Sequence, residues 1–436
     1  MKTNLEEISP IRKKLTIEVE ADIVAEARKE ALSELQKQVK IEGFRPGKVP
    51  PNIIQQKLGK ELEQHTVEKL VDLTLSKAFQ EAKVQPISKP EIAPGLWNAT
   101  GGFSYTAQFE ILPEIILKES KGLKLEKEEV QVSKEELEEE ISRLQQAMTQ
   151  LEPLPSGTLF AEGHVATIDF KGLIDGKSFK GSEAKDYSVE LGTGSMLADF
   201  EKALKGVKSG EDRDIQFDYP KDYFNKELAG KPASFKVSVK EIRKKNVPHL
   251  DDEFAKDLGN FKTMKEVRAD MEKRIAEAKE SRQKGALYDQ IIKQLVEKNK
   301  FDIPESLVRS ELSHMLQTFA EEIKKRGQKL EDVKVEEVVK EFQPEAEFRV
   351  RGFLVLKKVA EEAKVEVTQE ELDKELNAIA KGLNRPVAEV RAHYEKNNLL
   401  RSLYTRILHE KALEFVLNQA KIKTVKPKND QKLSKK

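Results

Sequence analysis

The chain of 436 residues contains no cysteine, which excludes disulfides, thiolate catalysis and cysteine metal sites and agrees with a reducing compartment. Histidine is scarce: the six (His65, His164, His249, His314, His393 and His409) are scattered. None stands in HExxH or a comparable ligand spacing, so no metal and no cofactor site is expected. No apolar run is long enough to cross a bilayer, and the opening MKTNLEEISP lacks the basic-then-apolar order of a secretory signal. An excess of one charge sign is missing too, since 77 basic and 77 acidic side chains cancel within a chain that is 35% charged. Whole-molecule attraction to nucleic acid or membrane is therefore not expected, and contact with a polyanion requires a local patch. A soluble cytoplasmic protein of about three domains, at ~150 residues each, is the expectation.

What is present divides along the chain. Residues 1–113 read as a small α+β unit: Leu15, Ile17 and Val19 alternate with polar neighbours as in a half-buried strand. Asp22 is placed to cap a helix carrying Val24, Ala27, Ala31, Leu35 and Val39 on one face. After a loop, EGFRPGKVP, a second helix is expected from about 52 to 83, and GGFSYTAQFEI reads as a returning strand. Residues 114–156 form a link and a highly charged helix. There Ser133 and Glu136 make a capping box, and Leu137, Ile141, Leu144, Met148 and Leu151 form a narrow seam, ended by Pro153 and Pro155. That helix must pack on helices of the C-terminal third, with the intervening segment inserted between them. Residues 157–246 change texture to short strands and turns (a turn at Asp175–Gly176 among them) around one helix near 197–204, as in an antiparallel sheet wrapped on a helix. Residues 247–425 are helical, with a second capping box at Thr368 and Glu371. The end, KIKTVKPKNDQKLSKK, reads as a lysine-rich frayed tail, with 426–436 as its disordered part.

Two glycine patterns carry little chemistry. LGTGSMLADF lacks the third glycine and the βαβ setting of a dinucleotide fingerprint, and GLIDGK is not a phosphate loop. The aromatic residues of 157–246 form a stronger pattern, which periodicity alone assigns to an ordinary core. VATIDFKGLIDGKSFKG, YSVELGTGSMLADFEKALKGVKSGE and FDYPKDYFNKELAGKPASFKVSVKEI, however, resemble the FKBP-type peptidyl-prolyl isomerase domain along its length. The resemblance implies a proline pocket of Phe170, Phe179, Tyr187, Met196, Leu197, Phe200, Tyr223 and Phe235, with the Leu197 N–H holding a substrate carbonyl. Phe200 stands where that family often carries tryptophan, and Lys180 where an acid is usual. The reaction needs no proton carrier: rotation about X–Pro faces ~18–20 kcal/mol because amide resonance must break. An apolar pocket favours the twisted amide.

The loop EGFRPGKVP combines two glycines and three nearby prolines with an aromatic. Five basic residues (Lys40, Arg45, Lys48, Lys57, Lys60) face one acid, Glu42, between positions 40 and 60, a local patch suited to phosphate. A helix connector whose Phe44 folds back onto its own domain is the plainer reading. G-F-R-x-G-K-x-P resembles the ribosome-docking signature of the bacterial trigger factor family, matched by Gly43, Phe44, Arg45, Gly47, Lys48 and Pro50, with Pro46 at the variable position. The order of the three domains resembles that family as well. The resemblance implies an ATP-independent chaperone with a helical, armed C-terminal body. It would act on nascent and unfolded polypeptides, docked on an exit-site ribosomal protein and rRNA, and form a homodimer when free. Met148, Met264, Met271 and Met315 fall on apolar helix faces, suited either to an adaptable surface or to ordinary packing. The rival readings are a free-standing prolyl isomerase-chaperone and an RNA-binding protein; neutral charge and the lack of a stacking motif weigh against the second.

Overall fold

The computed structural model describes residues 1–425 apart from 43, 45, 46, 100, 156, 175, 180, 194, 195, 222, 224, 227 and 330–332. Expectations for Gly43, Arg45, Pro46, Asp175, Lys180 and 426–436 therefore lie outside the described residues. The chain forms two compact units: residues 130–282, and residues 1–129 together with the stretch from Gln283 onward.

The discontinuous unit begins with β1 (Lys2–Ser9), β2 (Arg12–Val19), α1 (Ala21–Gln38), α2 (Pro51–Lys57), α3 (Gly59–Glu81), β3 (Glu91–Trp97) and β4 (Phe103–Glu110). The strands make an antiparallel sheet in the order β1-β2-β4-β3. Leu15, Ile17 and Val19 join Phe103, Tyr105, Ala107 and Phe109 on one apolar face, which Val24 and Ala27 of α1 and Leu70 and Ala78 of α3 cover. Burying a large apolar side chain contributes about 1.5–3 kcal/mol, so this face holds the head together. Thr74 is the polar exception. Its hydroxyl meets the Tyr105 hydroxyl at 2.7 Å and the Leu70 carbonyl at 2.5 Å, so nothing there is buried unpaired.

Several expectations are corrected here. Asp22 does not cap α1: the cap position is Glu20, whose carboxylate instead takes the chain's terminal ammonium at 2.7 Å. The helix expected over 52–83 is two, parted at Leu58 (φ −127°, ψ 29°) ahead of Gly59. β1 and β3 were not legible. β1 is mostly exposed and charged, and in β3 the Pro94–Gly95 pair interrupts the alternation and shifts the register between Ala93 and Leu96.

After β5 (Lys124–Glu128), the contiguous unit comprises α4 (Lys134–Ala147), β6 (Gln150–Pro153), β7 (His164–Ile174), β8 (Glu183–Glu190), α5 (Ala198–Leu204), β9 (Asp212–Asp218), β10 (Pro232–Asn246), α6 (Asp252–Asp257) and the first part of α7 (Met264–Lys298). The capping box of α4 is present, with Glu136 N–H to Ser133 Oγ at 3.1 Å and Ser133 N–H to Glu136 Oε2 at 2.9 Å. Ile141 is buried with Phe254, Ala255, Met264 and Val267, flanked by Leu137 and Leu144. The seam stops there, because Gln150–Pro153 leaves the helix to pair with Arg243–Asn246 of β10. Met148 becomes an exposed C-cap and Leu151 a strand residue. Met264, Met271 and Met315 pack into cores. For these three, ordinary packing is the outcome.

The chain then returns to the first unit through α8 (Glu305–Lys325), α9 (Val335–Glu362), α10 (Gln369–Gly382), α11 (Val387–Lys396), α12 (Leu400–Asn418) and β11 (Lys421–Val425). The Thr368–Glu371 capping box opens α10, and Leu376, Ala380, Val390, Leu403 and Ile407 close α10–α12 into one cluster. KIKTV is not frayed: β11 lies parallel to β5, Lys421 opposite Lys124 through Val425 opposite Glu128. The other side of β5 is satisfied by α7. Gln290 donates to Glu126 O and accepts from Glu126 N, both at 2.9 Å, and Gln294 donates to Lys124 O at 2.8 Å. His409 is the histidine that departs from ordinary behaviour; burial and then Lys357 push its pKa down to about 4, while its ring stands edge-on to Phe353.

One carboxylate ties β4 to the helical region. Glu110 accepts from Glu305 N–H at 3.0 Å and Ser306 N–H at 2.9 Å, capping the open N-terminus of α8 behind Pro304. Burial pushes this carboxyl up, but the hydrogen bonds from Ser306 and Glu305 outweigh it and hold the pKa below the usual value. An acid so placed contributes about 0.3–1 kcal/mol. With the folded pKa below the unfolded one, that contribution is complete above the unfolded value and fades as pH falls through the folded one. Glu110→Gln should therefore destabilise the first unit at pH 7. Denaturant unfolding at descending pH should show the difference from the native chain closing only below the ordinary glutamate range.

Candidate functional site

The contiguous unit builds its site on a curled antiparallel sheet in the order β6-β10-β7-β8, with β9 pairing β10. Alternation sends Ala166, Ile168, Phe170, Gly172 and Ile174 of β7 and Ala233, Phe235, Val237 and Val239 of β10 to one face. Phe200 and Leu204 of α5 pack onto that face. Arg213 Nη1 donates to Ala203 O at 3.0 Å, fixing the far end of the short helix.

Phe235 is the centre. Its ring lies 5.5 Å from Phe200, 6.0 Å from Phe170, 6.3 Å from Phe179 and 5.6 Å from Phe217, the last pair nearly parallel at 10°. It can lie there because its cross-strand neighbour is Gly172. A Cβ on that residue would come within 2.4 Å of the Phe235 ring. Tyr187 stands at the rim, edge-on to Phe170 at 5.6 Å and 44% exposed. Phe170, Phe179, Met196, Leu197 and Tyr223 are partly buried against the same cluster. The structure thus brings all eight expected pocket residues together, Tyr187 through its contact with Phe170.

Phe217 and Tyr219 were not singled out from sequence. Phe217 meets Phe200 at 6.2 Å and Tyr219 at 5.3 Å, and Tyr219 meets Tyr223 at 4.8 Å. The alternation of Ile215, Phe217 and Tyr219 in DRDIQFDYP was the available signal. Burial and then Tyr223 push the Tyr219 hydroxyl above its usual pKa, so it stays neutral. Leu197 is the extended residue before α5 (φ −60°, ψ 136°); its carbonyl accepts from Glu201 N–H at 3.0 Å. Its own N–H has no hydrogen-bond acceptor among the described residues. The arrangement is an aromatic cup with the Leu197 amide, without an acceptor among the described residues, beside it. It can hold a small apolar ring and a carbonyl, and it presents no proton carrier.

A hollow of about 1090 Å³ lies against the same strands, lined by Phe170 and Phe235 together with Asp169, Lys171, Asp212 and Lys236. Among the described residues no group of three or more His, Asp or Glu is placed to hold a metal ion, and no helix is long and apolar enough to cross a membrane.

A second candidate site is the loop before α2. Val49 is fully buried with Ala31, Leu35, Ile54 and Leu62, and Gln36 Nε2 donates to its carbonyl at 2.7 Å. Pro50 and Pro51 start α2, and Gly47 takes φ +77°, a left-handed value that suits glycine. Beyond this rooted base Phe44 is 39% exposed and joins neither apolar cluster of the first unit's head. Lys40, Lys48, Lys57 and Lys60 are exposed and make no ion pair among the described residues. Gly43, Arg45 and Pro46, the other expected docking residues, lie outside those described.

Three family models match along the chain. Residues 1–144 match the family model described as bacterial trigger factor protein, 157–240 that of FKBP-type peptidyl-prolyl cis-trans isomerase, and 263–418 that of the bacterial trigger factor C-terminus. The trigger factor of Halothermothrix orenii is 35% identical over 424 residues, covering 96% of this chain and 99% of its own. That of Geotalea daltonii is 34% identical, covering 98% and 99%, and that of Bacillus subtilis 35%, covering 86% and 91%. A solved structure of the trigger factor chaperone, concerned with promiscuous substrate recognition in folding and assembly, covers 96% of this chain with a TM-score of 0.55. At 22% identity it speaks to the fold.

Gly172→Ala tests the centre of the cup. The added methyl should displace the Phe235 ring and destabilise this unit by about 1–3 kcal/mol, seen as faster amide exchange across β7 and β10 with α10–α12 unchanged.

Proposed function

The chain belongs to the bacterial trigger factor family, and on that premise we propose which residues do its work. It is an ATP-independent, ribosome-associated chaperone for nascent and unfolded polypeptides, and it carries an FKBP-type peptidyl-prolyl isomerase domain. The proline ring of a substrate sits on Phe235 and Phe200, walled by Phe170, Phe179, Tyr187, Met196, Leu197 and Tyr223. The observation that carries this reading is the convergence of four rings on Phe235.

In that cup the amide nitrogen twists out of conjugation and loses charge separation, which an apolar surround favours over water. The Leu197 N–H, already without an acceptor among the described residues, receives the substrate carbonyl and holds it while the other side of the bond turns. None of the eight residues named for the cup is a histidine, a carboxylate or an amine. The value of kcat/KM for a proline peptide is therefore expected to be flat from about pH 6 to 8.5, the range over which unperturbed histidine would titrate. Tyr187→Ala removes a rim residue already largely in solvent. It should lower kcat/KM several-fold while leaving unfolding free energy within about 0.5 kcal/mol; unchanged kcat/KM would remove Tyr187 from the site.

The loop Gly43, Phe44, Arg45, Pro46, Gly47 and Lys48 docks the protein on the ribosome, at an exit-site ribosomal protein and the rRNA beside it. Support comes from the exposed Phe44, the rooted base at Val49 and the unpaired lysines around it. The protein works in the cytoplasm, partly on ribosomes, and pairs with a second copy when free. Co-sedimentation with ribosomes tests the loop. Changing Phe44, Arg45 and Pro46 together to Ala should leave the protein in the supernatant, with the shift strengthened by added salt. Equal pelleting of both chains would exclude the loop as anchor. Absence of pelleting for the native chain would favour a free-standing isomerase-chaperone.

A further inference from the structure

Among the described residues Ser182 is the one buried polar side chain of the contiguous unit, at 1% exposure. It lies at the end of the connection between β7 and β8. Its hydroxyl accepts from Phe179 N–H at 3.1 Å, and its own N–H donates to Phe179 O at 3.0 Å. Its carbonyl accepts from Gly172 N–H at 2.6 Å. Gly181 turns the chain between them at φ +83°.

These three bonds join the two features on which the cup depends. One is Gly172, whose missing side chain makes room for Phe235. The other is Phe179, which belongs to no strand and has a single recorded ring contact, with Phe235. The other rings against Phe235 are held by ladders (Phe170, Phe217) or by α5 (Phe200), whereas Phe179 is held by its turn. A buried hydroxyl is costly unless bonded, so its retention here calls for a role at this turn.

We propose that Ser182 is a positioning residue for prolyl isomerisation: it fixes the Phe179 wall over the proline ring by tying Phe179 to Gly172 of β7. This rests on the reading of the aromatic cup as the isomerase site. Phe179 touches the ring of bound proline in ground and transition state alike, so loosening it weakens both and appears in KM more than in kcat.

The experiment compares the full chain with Ser182→Ala, Ser182→Thr and Phe179→Ala on a proline-containing peptide, alongside amide exchange. Ser182→Ala is expected to raise KM about ten-fold, the factor that corresponds to one unpaired buried N–H, with kcat held within about two-fold. Exchange should quicken at Phe179 and not along β10. Ser182→Thr, which keeps the hydroxyl, should return the Phe179 amide to slow exchange. A merely structural role would lower the active fraction, reducing apparent kcat with KM unchanged and exchange faster throughout the sheet; that result overturns the proposal. Native KM in Ser182→Ala, with activity lost in Phe179→Ala, overturns it too and leaves the cup standing. Native activity in Phe179→Ala sinks the cup reading itself.

Discussion

The parallel pairing of β11 with β5 is the constraint on which the discontinuous unit depends. β5 is a five-residue strand with no neighbour of its own in the sequence, and an isolated strand leaves its backbone groups to water or unpaired. One edge is supplied by Lys421–Val425 and the other by the side-chain amides of Gln290 and Gln294. With both edges satisfied, Leu123 and Leu125 can be buried among Ile291, Leu295, Val355, Val359 and Val416. The first and last thirds of the chain are thereby one body, and the unit between them can be complete in itself.

That separation suits the chemistry. The described residues of the aromatic cup all lie within residues 130–282, on β7, β8, β9, β10 and α5 and on the connections that carry Phe179, Met196, Leu197 and Tyr223. The proposed chemistry calls for a surround poor in water and charge, and the rings packed on Phe235 supply an apolar one. The loop proposed for docking is built differently: its base is rooted at the buried Val49, and Phe44 and Lys48 before it are exposed. On the proposed roles, one site works by excluding solvent and the other by meeting it.

Much of this was legible in the sequence, and the reasons differ by element. The alternation of Leu15, Ile17 and Val19, the capping boxes at Ser133 and Thr368, and the long helical periodicities depend on local chemistry, and they stand in the structure. The eight cup residues were reached through a family resemblance, since periodicity assigned them only to a core. Phe217 and Tyr219 escaped because their alternation is the same as that of ordinary core positions. β11 escaped for a different reason. KIKTV is followed by a lysine-rich stretch and has no apolar partner nearby; its partner is β5, and no local pattern reports a pairing between residues so far apart. β3 escaped because Pro94 and Gly95 mark a bulge within a strand, where sequence reasoning takes the pair as its end.

The order in which a ribosome makes these residues gives the β5–β11 pairing a further meaning. The contiguous unit has all its parts once residue 282 has been added, so it can close while translation continues. β5 must wait through α8 to α12 before its partner exists, with Leu123 and Leu125 short of the α9 and α12 side chains that will cover them. For most of its own synthesis this chaperone is an unfinished nascent chain with an open core, of the kind its family serves.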